Sequence, residues 1–408
     1  MPEQLNAALR KLHLWIWEKK LVGYDPYDIL NSPNLSSGLL RNPPFSYFFI
    51  QLGKRFGGMA MRRFMKVPES INPKAIALYL CSLCEMAKFD LDVQYREQIE
   101  YCLTELKRLR SPGEVEFCWG YDFDFMSIRG NVLGKYAPNS IATVFAGKAL
   151  QQTAQVFRLE EAEQMAQSAA RFLVTRLNRS INDTKHFCFS YTPLDRTVIH
   201  NSNALVCSFL AGIVQDQDRQ LWLDICQRGL GFLADSQNEI GRWPYGEGRW
   251  QEWADNFHTA YNLEALMDYR ETSGDGQFDR HLKKGFVYWQ QNFFLANGLP
   301  KYYDDSIYPV DTHSCAQAIL TMCHAHDLQI IDSTAGERVL QSPLMMALKI
   351  AQWTFDHMQN RDGSFAFQEH RYWIDRTPYM RWGQTFMLFA LSRLLRILNG
   401  VTAVLPSR

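Results

Sequence analysis

What this chain lacks narrows its identity before any motif is weighed. No stretch approaches ~18 consecutive apolar residues, so no membrane-spanning helix is expected. The opening "MPEQLNAALRKLHLWIWEKK" has neither a long apolar region nor a small-residue cleavage site, so no secretory signal is expected. Neither sign of charge is in excess: 43 basic side chains face 43 acidic ones, which argues against a nucleic-acid partner. No Pro-, Ser- or Gly-rich linker divides the 408 residues, so one domain over 1–408 is expected, with 1–45 as an N-terminal cap segment. The nine cysteines are odd in number and scattered through apolar stretches, as reduced thiols of a cytoplasmic protein would be. The CxxC "CSLC" (81–84) has no second pair and lies inside "AIALYLCSLCEM", which points to core packing rather than zinc or redox chemistry.

Rings, by contrast, are plentiful: aromatics make up 13%, with 11 Trp and 18 Tyr. Five short segments concentrate them together with Gly: "FCWGYDF" (117–123), "FCFSY" (187–191), "GRWPYG" (241–246), "GLPKYY" (298–303) and "DGSFAF" (362–367). Each follows a stretch with apolar residues at helical spacing and precedes a second, more apolar helix rich in small residues. Aligning Asn139, Asn201, His258, His313 and Trp382 as equivalent positions gives spacings of 62, 57, 55 and 69 residues. A helix, a loop and a second helix fit that period. A sixth hairpin can be built from "FSYFFIQLGKRF" and "PKAIALYLCSLCEMA". The expected fold is all-α, an (α/α)6 toroid of about six helical hairpins. A closed ring is favoured over a linear solenoid because the second helices are apolar nearly all round and need burial on both sides.

In such a ring the N-termini of the inner helices open on one face, where free N–H groups and helix dipoles gather. "SCAQ" (314–317) has the Ser-x-x-Gln form of a capping box and sets a helix start just after His313. The candidate acid–base residues at this mouth are His258, His313, Asp311, Tyr303 and Glu247. Candidate substrate contacts are Trp119, Tyr121, Asp122, His200, Asn201, Trp243, Tyr245, Tyr302, Asp305, Tyr379, Arg381 and Trp382. Flat rings, imidazoles, carboxylates and an Arg around a concave site suit a saccharide, whose apolar face stacks while its hydroxyls hydrogen-bond. A His at a helix N-terminus has its charged form disfavoured and can act as a base near neutral pH; the alternative for each is a surface or capping histidine. No cofactor and no metal is assigned.

"QNEIGRW" (237–243) and "QNRDGSF" (359–365) resemble the repeat signature of terpenoid cyclase and protein prenyltransferase toroids. "VDTHSCAQ" and "FHTAYNL" are loosely similar to the zinc-binding segments of prenyltransferase β subunits, which implies an Asp311/His313/His258 metal site. The match departs from that pattern: His313 stands where a Cys is required, and the repeat order is reversed. A longer resemblance is to bacterial toroid proteins of exopolysaccharide biosynthesis clusters. It rests on "GYDPYDIL" (23–30), "FHTAYNLEAL" (257–266) and "DGSFAFQEHRYWIDRTPYMRWGQTFMLFAL" (362–391), and runs over nearly the full length. It implies a role in making or modifying a polysaccharide, in association with polysaccharide biosynthetic machinery.

Three chemistries fit these residue types. Epimerase or lyase chemistry on a uronic-acid-type saccharide needs a carboxylate neutraliser, a base and a proton donor. Arg381 or Asn201, the two histidines and a loop Tyr supply these, although Arg381 could instead be structural, paired with Asp375 or Glu369. Glycoside hydrolysis needs two facing carboxyls, drawn from Asp122, Glu247, Asp305 and Asp311. A prenyltransferase or terpenoid-type enzyme would need an apolar, ring-lined bowl, and a non-catalytic saccharide-binding subunit would need no base. "GYDPYD" is expected to be a structured cap whose Tyr24 and Asp25 hold the loop.

Overall fold

A computed structural model describes residues 1–35, 42–56, 58–90, 95–126, 132–213, 219–330 and 341–400. Among these the helices are α1 (Pro2–Glu18), α2 (Pro43–Phe56), α3 (Met59–Phe64), α4 (Pro73–Met86), α5 (Arg96–Arg108), α6 (Ser140–Phe157), α7 (Glu160–Arg176), α8 (His200–Ile213), α9 (Arg219–Asp235), α10 (Asn256–Ser273), α11 (Asp279–Asn292), α12 (Thr312–Asp327), α13 (Pro343–Met358) and α14 (Thr385–Leu398). Strands are short connectors, such as the hairpin of Arg179–Asn182 with Phe187–Phe189. Inner helices α4, α6, α8, α10, α12 and α14 each pack on the next, and α14 packs back on α4, so the ring closes. The fold is the expected all-α (α/α)6 toroid.

The inner helices owe their place to composition. Every residue of α4 is buried, as is nearly all of α12, so neither could face water on any side. The outer helices α5, α7, α9, α11 and α13 each cover the inner helix that precedes them. The sixth outer position is filled differently from the sequence expectation. It is α1 that packs on α14, while α2 lies against a 3-10 turn at Asp28–Asn31 and takes no outer position. The segment "FSYFFIQLGKRF" is amphipathic enough to form a helix, but α1 already covers the seam.

Side-chain caps start four of the inner helices. Asn72, Asn139, Asp255 and Asp311 accept bonds from the backbone N–H of Lys74, Ala142, His258 and His313, at 2.9, 2.8, 2.8 and 2.8 Å. These caps correct the repeat register. Asn139 is a cap, whereas His258 and His313 lie three and two residues past theirs. Ser314 is not a cap either: Asp311 already starts the helix, and the buried Ser314 hydroxyl has no hydrogen-bond partner among the described residues.

The Gln–turn–ring units tie outer to inner helices as their sequence suggests. Gly241 takes φ +97°, a left-handed value that favours glycine. Gln237 then donates to the carbonyls of Gly241 and His281, and the Trp243 indole N–H donates to Leu233 at 2.9 Å. Trp119 repeats the device, donating to Leu106 at 2.8 Å.

Away from the capped N-termini, the axis is closed by charge pairs. His324 lies 2.8 Å from Glu264, 3.4 Å from Glu271 and 4.0 Å from Asp268, while Lys148 bonds Asp268 and Arg396 lies 2.8 Å from Glu85. Burial disfavours the imidazolium of His324, but the three carboxylates outweigh it and raise its pKa to about 10. Burial likewise opposes the Glu264 carboxylate, yet His324, with Arg393 nearby, brings it down to about 2. A folded pKa above the ordinary 6.5 means that His324 stabilises fully below that pH and loses its contribution as pH rises through about 10. The stability gap between wild type and His324→Gln, measured by urea unfolding, is therefore expected to be widest below pH 6.5 and to narrow steadily towards pH 10.

Candidate active site

The capped ends of the inner helices surround a small cavity lined by Asn201, Trp243, Tyr245, Asp255, His258 and Asn262. Asp255 fixes His258 twice. One carboxylate oxygen accepts the backbone N–H of His258 and the other meets its Nδ1, both at 2.8 Å. That second bond assigns the ring proton to Nδ1 and leaves the Nε2 lone pair free. The side chain of His258 is 22% exposed, so the base is reachable. Tyr245 stands edge-on to it at 4.8 Å, backed by Trp253 stacked at 4.2 Å. Asn201 and Asn262 are buried, and the Oδ1 of each has no hydrogen-bond partner among the described residues. The lining carries one carboxylate, Asp255, and no Lys or Arg.

His313 occupies a different environment from His258. It is sandwiched between Phe257 at 4.5 Å and Phe386 at 3.9 Å, edge-on to Trp382, with Nε2 bonded to the Tyr261 hydroxyl at 2.7 Å. Burial above all, with the Arg381 guanidinium nearby, holds its pKa well below the usual histidine value. The first cause is burial, not the helix dipole that a place near the start of α12 suggests. Asp311 is fully buried, with its oxygens accepting from Trp382 Nε1 at 2.9 and 3.1 Å, Gln368 at 2.7 Å and the His313 N–H. Burial raises its pKa to about 6 against those bonds. The implied Asp311/His313/His258 metal set is not assembled: each of the three is engaged separately. The cluster with ligand spacing among the described residues is Glu264, Asp268 and His324, far from this mouth.

The other expected contacts divide. Tyr121 is buried beside the mouth, its hydroxyl 2.8 Å from that of Tyr191, with Arg381 over its ring. Tyr302 and Tyr303 pack on each other at 4.7 Å, Tyr302 edge-on to Phe257 and Tyr303 edge-on to Trp253. Trp119 and the indole N–H of Trp243 are tied to outer helices, so Trp119 is a structural ring here. Asp122 accepts from Ser70 and Asn72. His200 lies behind the cavity against Phe232 of α9, and burial drops its pKa to about 4. Glu247 comes within 3.1 Å of its Nε2, yet neither ring nitrogen makes an aligned hydrogen bond, and a neutral ring forms no ion pair. Glu247 is half-exposed and Asp305 exposed. Tyr379 is buried under the Arg62 guanidinium, its hydroxyl without a partner among the described residues.

Arg381 sits in a π-helical turn, Met380–Gln384, that leads into α14. Its partner is neither Asp375 nor Glu369 but Asp25, in a bidentate pair of 2.5 and 2.8 Å. Asp25 in turn accepts the Tyr27 N–H, and Arg62 bridges the Asp25 carbonyl to Asp28. "GYDPYD" is thus a staple across the mouth, and Arg381 is not free to clamp a ligand carboxylate. Sequence reasoning missed Lys74, Tyr261, Asn262 and Trp253. Asn262 is one helical turn from His258 and could have been found by that spacing. Lys74, a lone cation in the otherwise apolar opening of α4, was the clearest signal passed over. Removing one partner from the Asp25–Arg381 pair leaves a buried charge: Asp25→Ala is expected to cost ~3–5 kcal/mol in urea unfolding. The double replacement Asp25→Leu with Arg381→Met should recover most of it, and an unrecovered loss would contradict the staple.

No protein-family profile matches the chain, and no curated protein does. Solved structures do. Unsaturated glucuronyl hydrolase from Bacillus sp. GL1 superposes with a TM-score of 0.65 at 12% identity, covering 100% of both chains. Cellobiose 2-epimerase from Bacillus thermoamylovorans B4167 gives 0.60 at 11% identity, covering 81% of this chain and 90% of its own. A polysaccharide lyase gives 0.55 at 11% identity, covering 81% and 92%. The shared feature is the closed (α/α)6 toroid.

Proposed function

We propose that this protein is a carbohydrate-active enzyme that moves a proton on a sugar, with epimerase-type chemistry, in the service of exopolysaccharide production or modification. The Asp255–His258 dyad on the cavity wall carries this reading. It presents an oriented imidazole whose free nitrogen can take a carbon-bound proton, with Asp255 stabilising the imidazolium that results. His313 and the Tyr261 hydroxyl, joined at 2.7 Å, supply a second proton-carrying pair next to it. Tyr245, 4.8 Å from His258, offers a ring for the apolar face of a pyranose. The names of the structural neighbours, a hydrolase, an epimerase and a lyase acting on saccharides, agree with a sugar in this fold, and the long C-terminal motif supports the exopolysaccharide context.

Two alternatives lose ground on geometry. Hydrolysis needs a facing pair of carboxyls. Of the four candidates, Asp122 and Asp311 are tied by hydrogen bonds, and Glu247 and Asp305 face solvent. A uronate substrate needs a cation at its carboxylate; the cavity lining carries no Lys or Arg, and Arg381 is held by Asp25. The cavity instead offers acceptors, the Oδ1 atoms of Asn201 and Asn262 and the Asp255 carboxylate, which suit the hydroxyl donors of a neutral sugar. Calorimetric titration with cellobiose and with glucuronic acid tests this: cellobiose should bind at least ~10-fold tighter, a gap of about 1.4 kcal/mol, and Asn262→Leu should weaken it. Preference for glucuronic acid overturns the neutral-sugar assignment, and binding of neither overturns the carbohydrate reading.

A further inference from the structure

The acid–base dyad leaves unused a second reactive group on the barrel axis. Lys74 enters from α4, across the ring from α10, and is 3% exposed. Its Nζ lies 3.8 Å from the centre of the Phe145 ring and 4.8 Å from that of Phe386. Its hydrogen bond among the described residues is to the Tyr261 hydroxyl at 3.4 Å. Lys148 and Lys88, which are also drawn into the barrel, each hold a carboxylate: Asp268 for the first and Glu85 for the second. Lys74 has none among the described residues. The charged groups around it are Arg381, which repels an ammonium, and Asp25, which is already held bidentately by Arg381. A ring face returns less to an ammonium than it loses when its water is removed. Burial therefore pulls this amine well below the ordinary lysine range. An unprotonated amine packed among ring faces, beside a hydroxyl and a histidine, has the form of an activated nucleophile.

We propose that Lys74 is a catalytic nucleophile of this site, forming an imine with the aldehyde carbon of an open-chain aldose. This rests on the carbohydrate reading above and goes beyond its dyad. The Nζ lone pair forms the C–N bond while the carbonyl oxygen takes a proton from Tyr261, which His313, bonded at 2.7 Å, helps to relay. The new ammonium returns one proton to the Tyr261 oxygen; the carbinolamine hydroxyl is then protonated from solvent and leaves as water, and the nitrogen lone pair closes the C=N bond as a protonated imine. Nothing is oxidised or reduced, and hydrolysis reverses the step. A protonated imine acidifies the neighbouring carbon, whose proton is then within the competence of the His258 Nε2. Tyr261 links the two groups: its ring centre is 6.0 Å from that of His258, and its hydroxyl touches Lys74.

The test uses the intact protein, glycolaldehyde as the smallest hydroxyaldehyde, and cyanoborohydride to trap the imine at pH 6.5, read by peptide mass mapping. An ordinary lysine, with a pKa near 10.4, is deprotonated in only about one molecule in 10⁴ at that pH. The peptide containing Lys74 should therefore take the adduct at least ~10-fold faster than those of exposed Lys107 and Lys185. In Lys74→Arg that adduct should vanish while the surface labelling persists. An unlabelled Lys74, or one labelled no faster than the surface lysines, overturns the proposal. Because the reading comes from the wild-type protein, it does not depend on a variant folding. An adduct without turnover of any sugar keeps the reactive amine and removes the carbohydrate reading; sugar turnover without an adduct does the reverse.

Discussion

The closure of six inner helices into a ring is the constraint on which everything else depends. Once α14 packs on α4, each inner helix is buried on both sides, and its polar side chains must find partners inside the ring. The repeated caps decide which end is which. Asn72, Asn139, Asp255 and Asp311 each satisfy a helix N-terminus, and together they bring the loops between helices to one mouth.

The two ends treat their charges in opposite ways. At the far end, His324, Glu264, Asp268, Lys148, Arg396 and Glu85 are matched against one another, as buried charges must be to stay ionised. At the mouth the matching is incomplete. Asp25 and Arg381 neutralise each other, but among the described residues Lys74 lacks a carboxylate, the Oδ1 atoms of Asn201 and Asn262 lack donors, and His313 Nδ1 lacks a partner. Unsatisfied buried groups carry a cost and occur elsewhere too, as at Glu264 Oε1; those at the mouth are the ones that the proposed ligand would satisfy.

The ring was legible because its signal is collective. Helical periodicity, Gln–Gly–ring turns and a period near sixty residues all point to the same architecture, so local errors such as the choice of α2 over α1 did not alter it. Register was less legible, because a cap is defined by backbone geometry: Asp255 and His258 are adjacent in the site, yet only the structure shows that the first starts the helix and the second answers it. Residues whose role depends on a distant partner were hidden. Arg381 and Asp25 are 356 positions apart, and nothing local distinguishes a clamped guanidinium from a free one. Trp119 and Trp243 read as stacking platforms until their indole N–H groups were seen to be bound to outer-helix carbonyls. Lys74 was overlooked for a related reason: an apolar helix start with one lysine looks like a surface end until the ring closes around it.

The central claim is that His258, oriented by Asp255, removes a carbon-bound proton from a sugar. The most direct measurement is proton NMR of a neutral reducing disaccharide incubated with the protein in D₂O. The account predicts loss of the signal of a carbon-bound proton next to the reducing carbon, with the glycosidic bond intact, and no such loss with His258→Ala. Cleavage of the glycosidic bond without exchange, or exchange that persists in His258→Ala, would contradict it.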